Sequence, residues 1–142
     1  MTSTELAWLI RRHGIEMTHL SGGSHIGSIL SAADIMGVLY ADILKFDSSN
    51  PKWDGRDRFI MSKGHAGAAA YAALAENGFF PTAELKTHYA NGSRLSGHVS
   101  HHLPGVDFST GSLGHGLSAA AGMALAAKKD GKTHRVFALL GD

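Results

Sequence analysis

Cysteine is absent from the 142 residues, which excludes disulfides, thiolate zinc sites and a cysteine nucleophile. Proline occurs only 3 times, and charged residues make up 18%, below the roughly 25% usual in soluble domains. Because 44% of the chain is hydrophobic, a disordered charged tail is excluded and a buried core is expected. No excess of either charge sign exists: 13 Lys and Arg face 12 Asp and Glu, for a net charge of +1. No run is strongly basic, so the electrostatic footprint of a nucleic-acid binder is missing. No apolar stretch approaches the roughly 18 residues that span a bilayer. The apolar residues 6–10 are too few for a secretion signal and run into Arg11 and Arg12. The expectation is a soluble, cytoplasmic protein of about one domain, in which the sequon Asn91-Gly92-Ser93 is fortuitous.

Two residue types are in surplus. Glycine occurs 18 times, nearly twice the average of about 7%. Histidine occurs 10 times, and several histidines adjoin glycines rather than sitting in apolar runs.

Periodicity predicts alternating helices and strands. Thr2 and Glu5 have capping-box spacing, and Leu6, Leu9, Ile10, His13, Met17 and Leu20 follow at helical intervals up to Gly22-Gly23. A second helix is expected to open at Ser31 and bury Ile35, Val38, Leu39 and Ile43. Residues 47–51 read as a turn, and 58–62 as a strand. An Ala-rich helix is expected over 66–76 and a short one from Thr82, as its cap, to Tyr89. Residues 92–110 show no period, while 117–129 read as a helix of small residues. The continuous apolar run 135–140 reads as a strand covered on both faces of a parallel sheet. The small-residue stretches 66–75 and 118–127 suit close helix packing or a subunit interface equally well. Alternating helices and strands indicate an α/β architecture with helices flanking a parallel sheet. Only two strands are evident and the second ends at the terminus, so an incomplete domain is expected.

The chemistry-bearing features are glycine junctions: Ser24-His25-Ile26-Gly27, Lys63-Gly64-His65, Gly97-His98, the loop Thr110-Gly111-Ser112-Leu113-Gly114-His115-Gly116, and the terminal Gly141-Asp142. Glycine lets backbone N–H groups approach a phosphate, and an adjacent imidazole adds a donor. An aspartate at the carboxyl end of a parallel strand lies where open α/β sheets bind ligands, and its hard oxygens suit Mg²⁺ or Ca²⁺. Singly, such a pair is ordinarily a turn with an exposed histidine; together they point to an anionic cofactor, and both readings stand at this level. Three patterns are decoys. Gly131-Lys132-Thr133 imitates a phosphate-binding loop, but Ala126 stands where the earlier glycine is required. Residues 111–116 have the spacing GxxGxG rather than GxGxxG. His98, His101 and His102 lack a framework for zinc, and solvated loop histidines are expected. His13, His19, His88 and His134 read as surface or boundary residues, and Trp8, Trp53, Phe79 and Phe80 as packing groups.

Taken in order, SGGSHIGS (21–28), NPKWDGRDRFIMSKGHA (50–66), GSRLSGH (92–98), LPGV (103–106), STGSLGHG (109–116) and LLGD (139–142) resemble the N-terminal part of transketolases. The likeness runs from about residue 10 to the end, and the form SHIGS is most similar to transketolases split into two polypeptides. The resemblance implies the thiamine-diphosphate-binding fold, with residues 1–142 as the first part of its diphosphate-binding domain and the pyrimidine-binding domain lying outside them. It also implies transfer of a two-carbon ketol unit between sugar phosphates, with thiamine diphosphate and Mg²⁺ (or Ca²⁺) as cofactors. The implied partners are sugar-phosphate substrates and either a second copy of the chain or a C-terminal subunit.

By the same resemblance, His65 contacts the diphosphate, while His25 and His98 face the reacting carbon and the donor's hydroxyls as the catalytic pair. Gly111, Leu113 and Gly141 line the cofactor, and Asp142 is the first metal ligand. The sequence departs from the familiar pattern where serine precedes His25 and Ile26 replaces proline, where Val99 follows His98, and where His115 replaces glutamine. These departures bear on substrate choice more than on cofactor use. The chain stops inside the Gly-Asp-Gly metal motif, so the 142 residues alone are expected to be catalytically silent. The competing expectations are another thiamine-diphosphate enzyme, such as 1-deoxyxylulose-5-phosphate synthase or dihydroxyacetone synthase, and a non-catalytic binding module.

Overall fold

The computed structural model describes residues 1–141. Helix α1 (Ser3–Ser21) starts at a closed capping box: the Thr2 hydroxyl accepts from the Glu5 N–H, and the Glu5 carboxylate accepts from the Thr2 N–H. It ends on Gly22 in the left-handed conformation, φ +67°. Helix α2 (Ile26–Val38) follows and runs into a wider π turn, Leu39–Ile43. After an extended loop come strand β1 (Arg58–Met61), a 3₁₀ turn (Gly64–Ala66) and helix α3 (Gly67–Glu76). A second 3₁₀ segment (Thr82–Thr87) and a long irregular loop lead to helix α4 (His115–Lys129) and strand β2 (Val136–Leu139).

The strands pair in parallel, Arg58 opposite Val136 and Met61 opposite Leu139. The architecture is therefore α/β, with helices around a small parallel sheet. The core lies among α1, α2 and α3, where Leu6, Ile10, Ile29, Met36, Tyr71 and Leu74 are all but sealed from solvent. Leu95 and Leu103 of the irregular loop plug into the same cluster.

Several expectations are corrected. Helix α2 starts at Ile26, five residues before the expected Ser31, and buries Ile29, Ala32, Ala33, Met36 and Gly37. Ile35, Val38 and Ile43 are exposed instead. Ala32, Ala33 and Gly37 join Ile29 and Met36 on the buried face because α1 and α2 pack closely; that contact decides the orientation of a helix apolar on most sides. The stretch Ile26–Ile43 is long and apolar enough to cross a membrane by those measures, contrary to the sequence reading, although in this fold its buried side chains belong to the core. Thr82 caps nothing: the residue before the 3₁₀ segment is Pro81, without a side-chain cap. Trp8 and Trp53 are exposed, Trp8 lying under the Arg12 guanidinium at 5.8 Å. Strand β2 is only half covered, unlike the fully buried strand its composition suggests. His88 is buried rather than at the surface.

Candidate functional site

Both strands end at one edge of the sheet, where the Lys63 N–H donates to the Leu139 carbonyl at 3.2 Å. That carboxyl edge is where open α/β sheets gather ligands. His65 leaves β1 there, in the 3₁₀ turn, and Gly141 lies just beyond the end of β2, exposed. His25, the residue before α2, carries its ring to 5.2 Å from the His65 ring, edge-on at 62°. The His98 ring lies 5.6 Å from His25 at 65°. Imidazoles separated by 40 and 33 positions in the chain thus form one cluster about His25.

Close backbone approach makes the cluster possible. A methyl group on Gly64 would meet Thr110 atoms at 2.5–2.6 Å, and one on Gly67 would lie 2.8 Å from the Val99 nitrogen. Only glycine lets the 62–67 turn touch both stretches of the irregular loop. Across that contact the Val99 N–H donates to the Gly64 carbonyl at 3.1 Å, and the Thr110 N–H to the Val99 carbonyl at 3.3 Å. The Thr110 hydroxyl bonds the Met61 carbonyl at the end of β1. Gly111 then rests against the His98 ring, its notional methyl 3.5 Å from Cδ2. Leu113, in the turn before α4, is 71% exposed.

The electrostatics suit an anion. Burial lowers the His65 pKa, and the positive fields of His25, Lys63 and His98 add to the shift. His65 is therefore neutral near pH 7, one ring nitrogen donating and the other accepting. Lys63 donates to the Ser31 hydroxyl at 3.0 Å, and the amino end of α2, with its positive dipole, adjoins the cluster through His25. The Ser24 hydroxyl beside it is buried and has no hydrogen-bond partner. The structure thus brings His25, His65, His98 and Gly111 together and puts Gly141 on the same rim. Asp142 lies outside the described residues. His101 and His102 are exposed, their rings tilted at 41° with centroids 4.4 Å apart, and the His101 ring meets the Ser109 hydroxyl at 2.6 Å.

The sequence reading missed what braces the opposite, amino edge of the sheet, where both strands begin. Asp57 is buried and receives the Lys45 N–H at 2.9 Å, the Arg135 N–H at 2.8 Å and the Arg135 guanidinium at 2.6 Å. Burial pushes its carboxyl pKa up, but the Arg135 and Lys45 hydrogen bonds outweigh this and hold it below the ordinary range. Arg56 pairs with Asp107, tying the irregular loop to β1. The alternating charges in WDGRDR were visible, but partners tens of residues away carry no local signal.

Comparison with known proteins gives matches along nearly the whole chain. Residues 2–136 match the family described as transketolase, thiamine diphosphate binding domain. The chain is 42% identical over 135 residues to the 6-deoxy-6-sulfo-D-fructose transketolase subunit SqwG of a Clostridium species, covering 94% of this chain and 49% of that one. It is 41% identical to an apulose-4-phosphate transketolase subunit of Phocaeicola vulgatus, covering 93% and 47%. The crystal structure of Campylobacter jejuni transketolase superposes with a TM-score of 0.93 at 34% identity, over 99% of this chain and 23% of that one. The chain spans about half the length of the two subunits it matches.

Proposed function

The chain belongs to the transketolase family, as a thiamine-diphosphate-binding domain, and on that premise we propose that it serves an enzyme moving a two-carbon ketol unit from a ketose phosphate to an aldose phosphate. The observation carrying this reading is the convergence of His25, His65 and His98 at the carboxyl edge of the parallel sheet.

The residues present fit the cofactor. A diphosphate needs N–H donors and a backbone it can approach, and the glycine turns, the neutral His65 and the unpartnered Ser24 hydroxyl meet that need. His65 would hold the diphosphate, with Gly111, Leu113 and Gly141 lining the cofactor and Asp142 taking the divalent metal, Mg²⁺ or Ca²⁺. When bound, thiamine diphosphate supplies the electron sink that carbon–carbon cleavage requires. The protein's part is binding, orientation and proton management. His25 and His98, both exposed, would exchange protons with the donor's hydroxyls, a role imidazole fills near neutral pH. The buried backing of His65 favours its neutral form.

Residues 1–142 would form part of the diphosphate-binding domain, working in the cytoplasm with a second copy or a C-terminal subunit. The two relatives at 41–42% identity are named for different sugars, so a panel of ketose donors is the right assay. With thiamine diphosphate and Mg²⁺, the assembled enzyme should form sedoheptulose 7-phosphate from xylulose 5-phosphate and ribose 5-phosphate, or the equivalent product from another donor. Cofactor binding without ketol transfer from any donor would overturn the transferase reading. No binding at millimolar cofactor would favour a non-catalytic module.

A further inference from the structure

Behind His98 lie three rings with no role in the site so far. Tyr71, buried on α3, brings its hydroxyl to 2.7 Å from the His98 carbonyl and 3.0 Å from the Ser96 carbonyl. The Ser96 hydroxyl is also 2.7 Å from the His98 carbonyl, so hydroxyls approach that oxygen from two sides. Tyr89 controls the intervening residue: a methyl on Gly97 would stand 2.0 Å from the Tyr89 hydroxyl. Tyr89 itself has φ +63°, unique among the described non-glycine residues, and its N–H is tied to the Leu95 carbonyl at 3.0 Å. His88 fills the space between, 4.7 Å from the Tyr89 ring at 88° and 6.1 Å from the Tyr71 ring. It is 3% exposed, and both its ring nitrogens are buried without a hydrogen-bond partner.

A left-handed tyrosine and an unpartnered buried imidazole are each unfavourable. Adjacent in sequence and packed against one loop, they persist because the surrounding structure over-determines them, as happens where a functional group must be held in place. His98 is exposed on a segment without regular structure, so the direction of its ring is set by the backbone of residues 96–98. That backbone is gripped by Tyr71 at two carbonyls and by Tyr89 at the glycine.

We infer that Tyr71, Tyr89 and His88 form a cradle that positions His98 for its ligand. The cradle rests on the ketol-transfer reading for what His98 does, though not for how it is held. The test is made in the assembled holoenzyme with ¹⁵N-labelled histidine. Tyr71→Phe removes one hydroxyl and should shift the His98 ring signals while leaving those of His134 in place. It should lower kcat by about threefold to tenfold, the worth of one hydrogen bond, with thiamine diphosphate affinity unchanged. Gly97→Ala should lower kcat further, and Tyr89→Ala in that background should restore part of it by making room for the methyl. Unmoved His98 signals together with wild-type kcat in Tyr71→Phe, or no recovery in the double variant, would overturn the cradle. Should the wild type transfer no ketol unit while Tyr71→Phe still moves the His98 signals, the cradle stands and the proposed reaction falls.

Discussion

Helices α3 and α4 are written in nearly the same alphabet, GAAAYAALAE and HGLSAAAGMALAAKK, yet meet opposite fates. Every residue from Gly67 to Ala75 is buried, whereas α4 buries only Gly116, Ala120 and Ala127 and leaves Leu117 and Leu125 exposed. Small residues permit close approach without saying to what. α3 is enclosed by α1, α2 and the irregular loop, whose Leu95 and Leu103 join the same core. The α4–β2 unit is attached through strand pairing, through Phe137 and Leu139 at the margin of the core, and through polar bonds, chiefly Asp57 with Arg135 and Lys132 with Asp54.

The contrast can be broken at its anchor. Asp57→Ala strips the buried carboxylate that receives Arg135 and the Lys45 N–H, leaving donors unpaired. The Arg135 side chain is half exposed and returns to water, so the loss is that of charge-assisted hydrogen bonds to a buried carboxylate, about 1.5–3 kcal/mol; urea unfolding of the assembled enzyme should show a loss of that size, with β2 exchanging its amides first. A wild-type midpoint would mean that strand pairing and packing hold the unit without this carboxylate. Next in size, Ala72→Leu should cost about 1–3 kcal/mol by overpacking, because Ala72 is fully buried. Ala121→Leu, on the exposed side of α4, should change stability by less than about 0.5 kcal/mol. Equal losses from the two would show that the α4 face is covered in the assembly.

Between those two lies an effect of pH. Burial lowers the His88 pKa, so below about 6.5 the unfolded chain takes up a proton that the folded chain refuses. Stability is then full above that pH and declines as pH falls toward the folded pKa. His88→Phe should flatten the decline between about pH 7.5 and 5, as read from urea midpoints. His65, shifted in the same direction, and carboxylates held low such as Asp57 contribute to the slope that remains. An unchanged slope would remove His88 from the account.

What could be read in the sequence divides along the same line. The α1 cap, the two strands and the glycine–histidine junctions are local signals, so their places followed from neighbouring residues. The convergence of His25, His65 and His98 was implied by the motifs together and by no one of them. The buried face of α2 was misassigned because a helix apolar nearly all round has no single periodic stripe; only the partner's shape selects Ala32 and Ala33 over Ile35 and Val38. His88 and Tyr89 carried no signal, since their setting is decided by Tyr71, 17 positions before His88, and by Leu95, 7 positions after it.

The most direct test is calorimetric titration of thiamine diphosphate with Mg²⁺ into the assembled enzyme and into its His65→Ala and His98→Ala variants. The account predicts affinity weakened at least about tenfold, or 1.4 kcal/mol, by the first substitution. The second should leave affinity intact and slow turnover. Unaltered cofactor affinity in His65→Ala would contradict it.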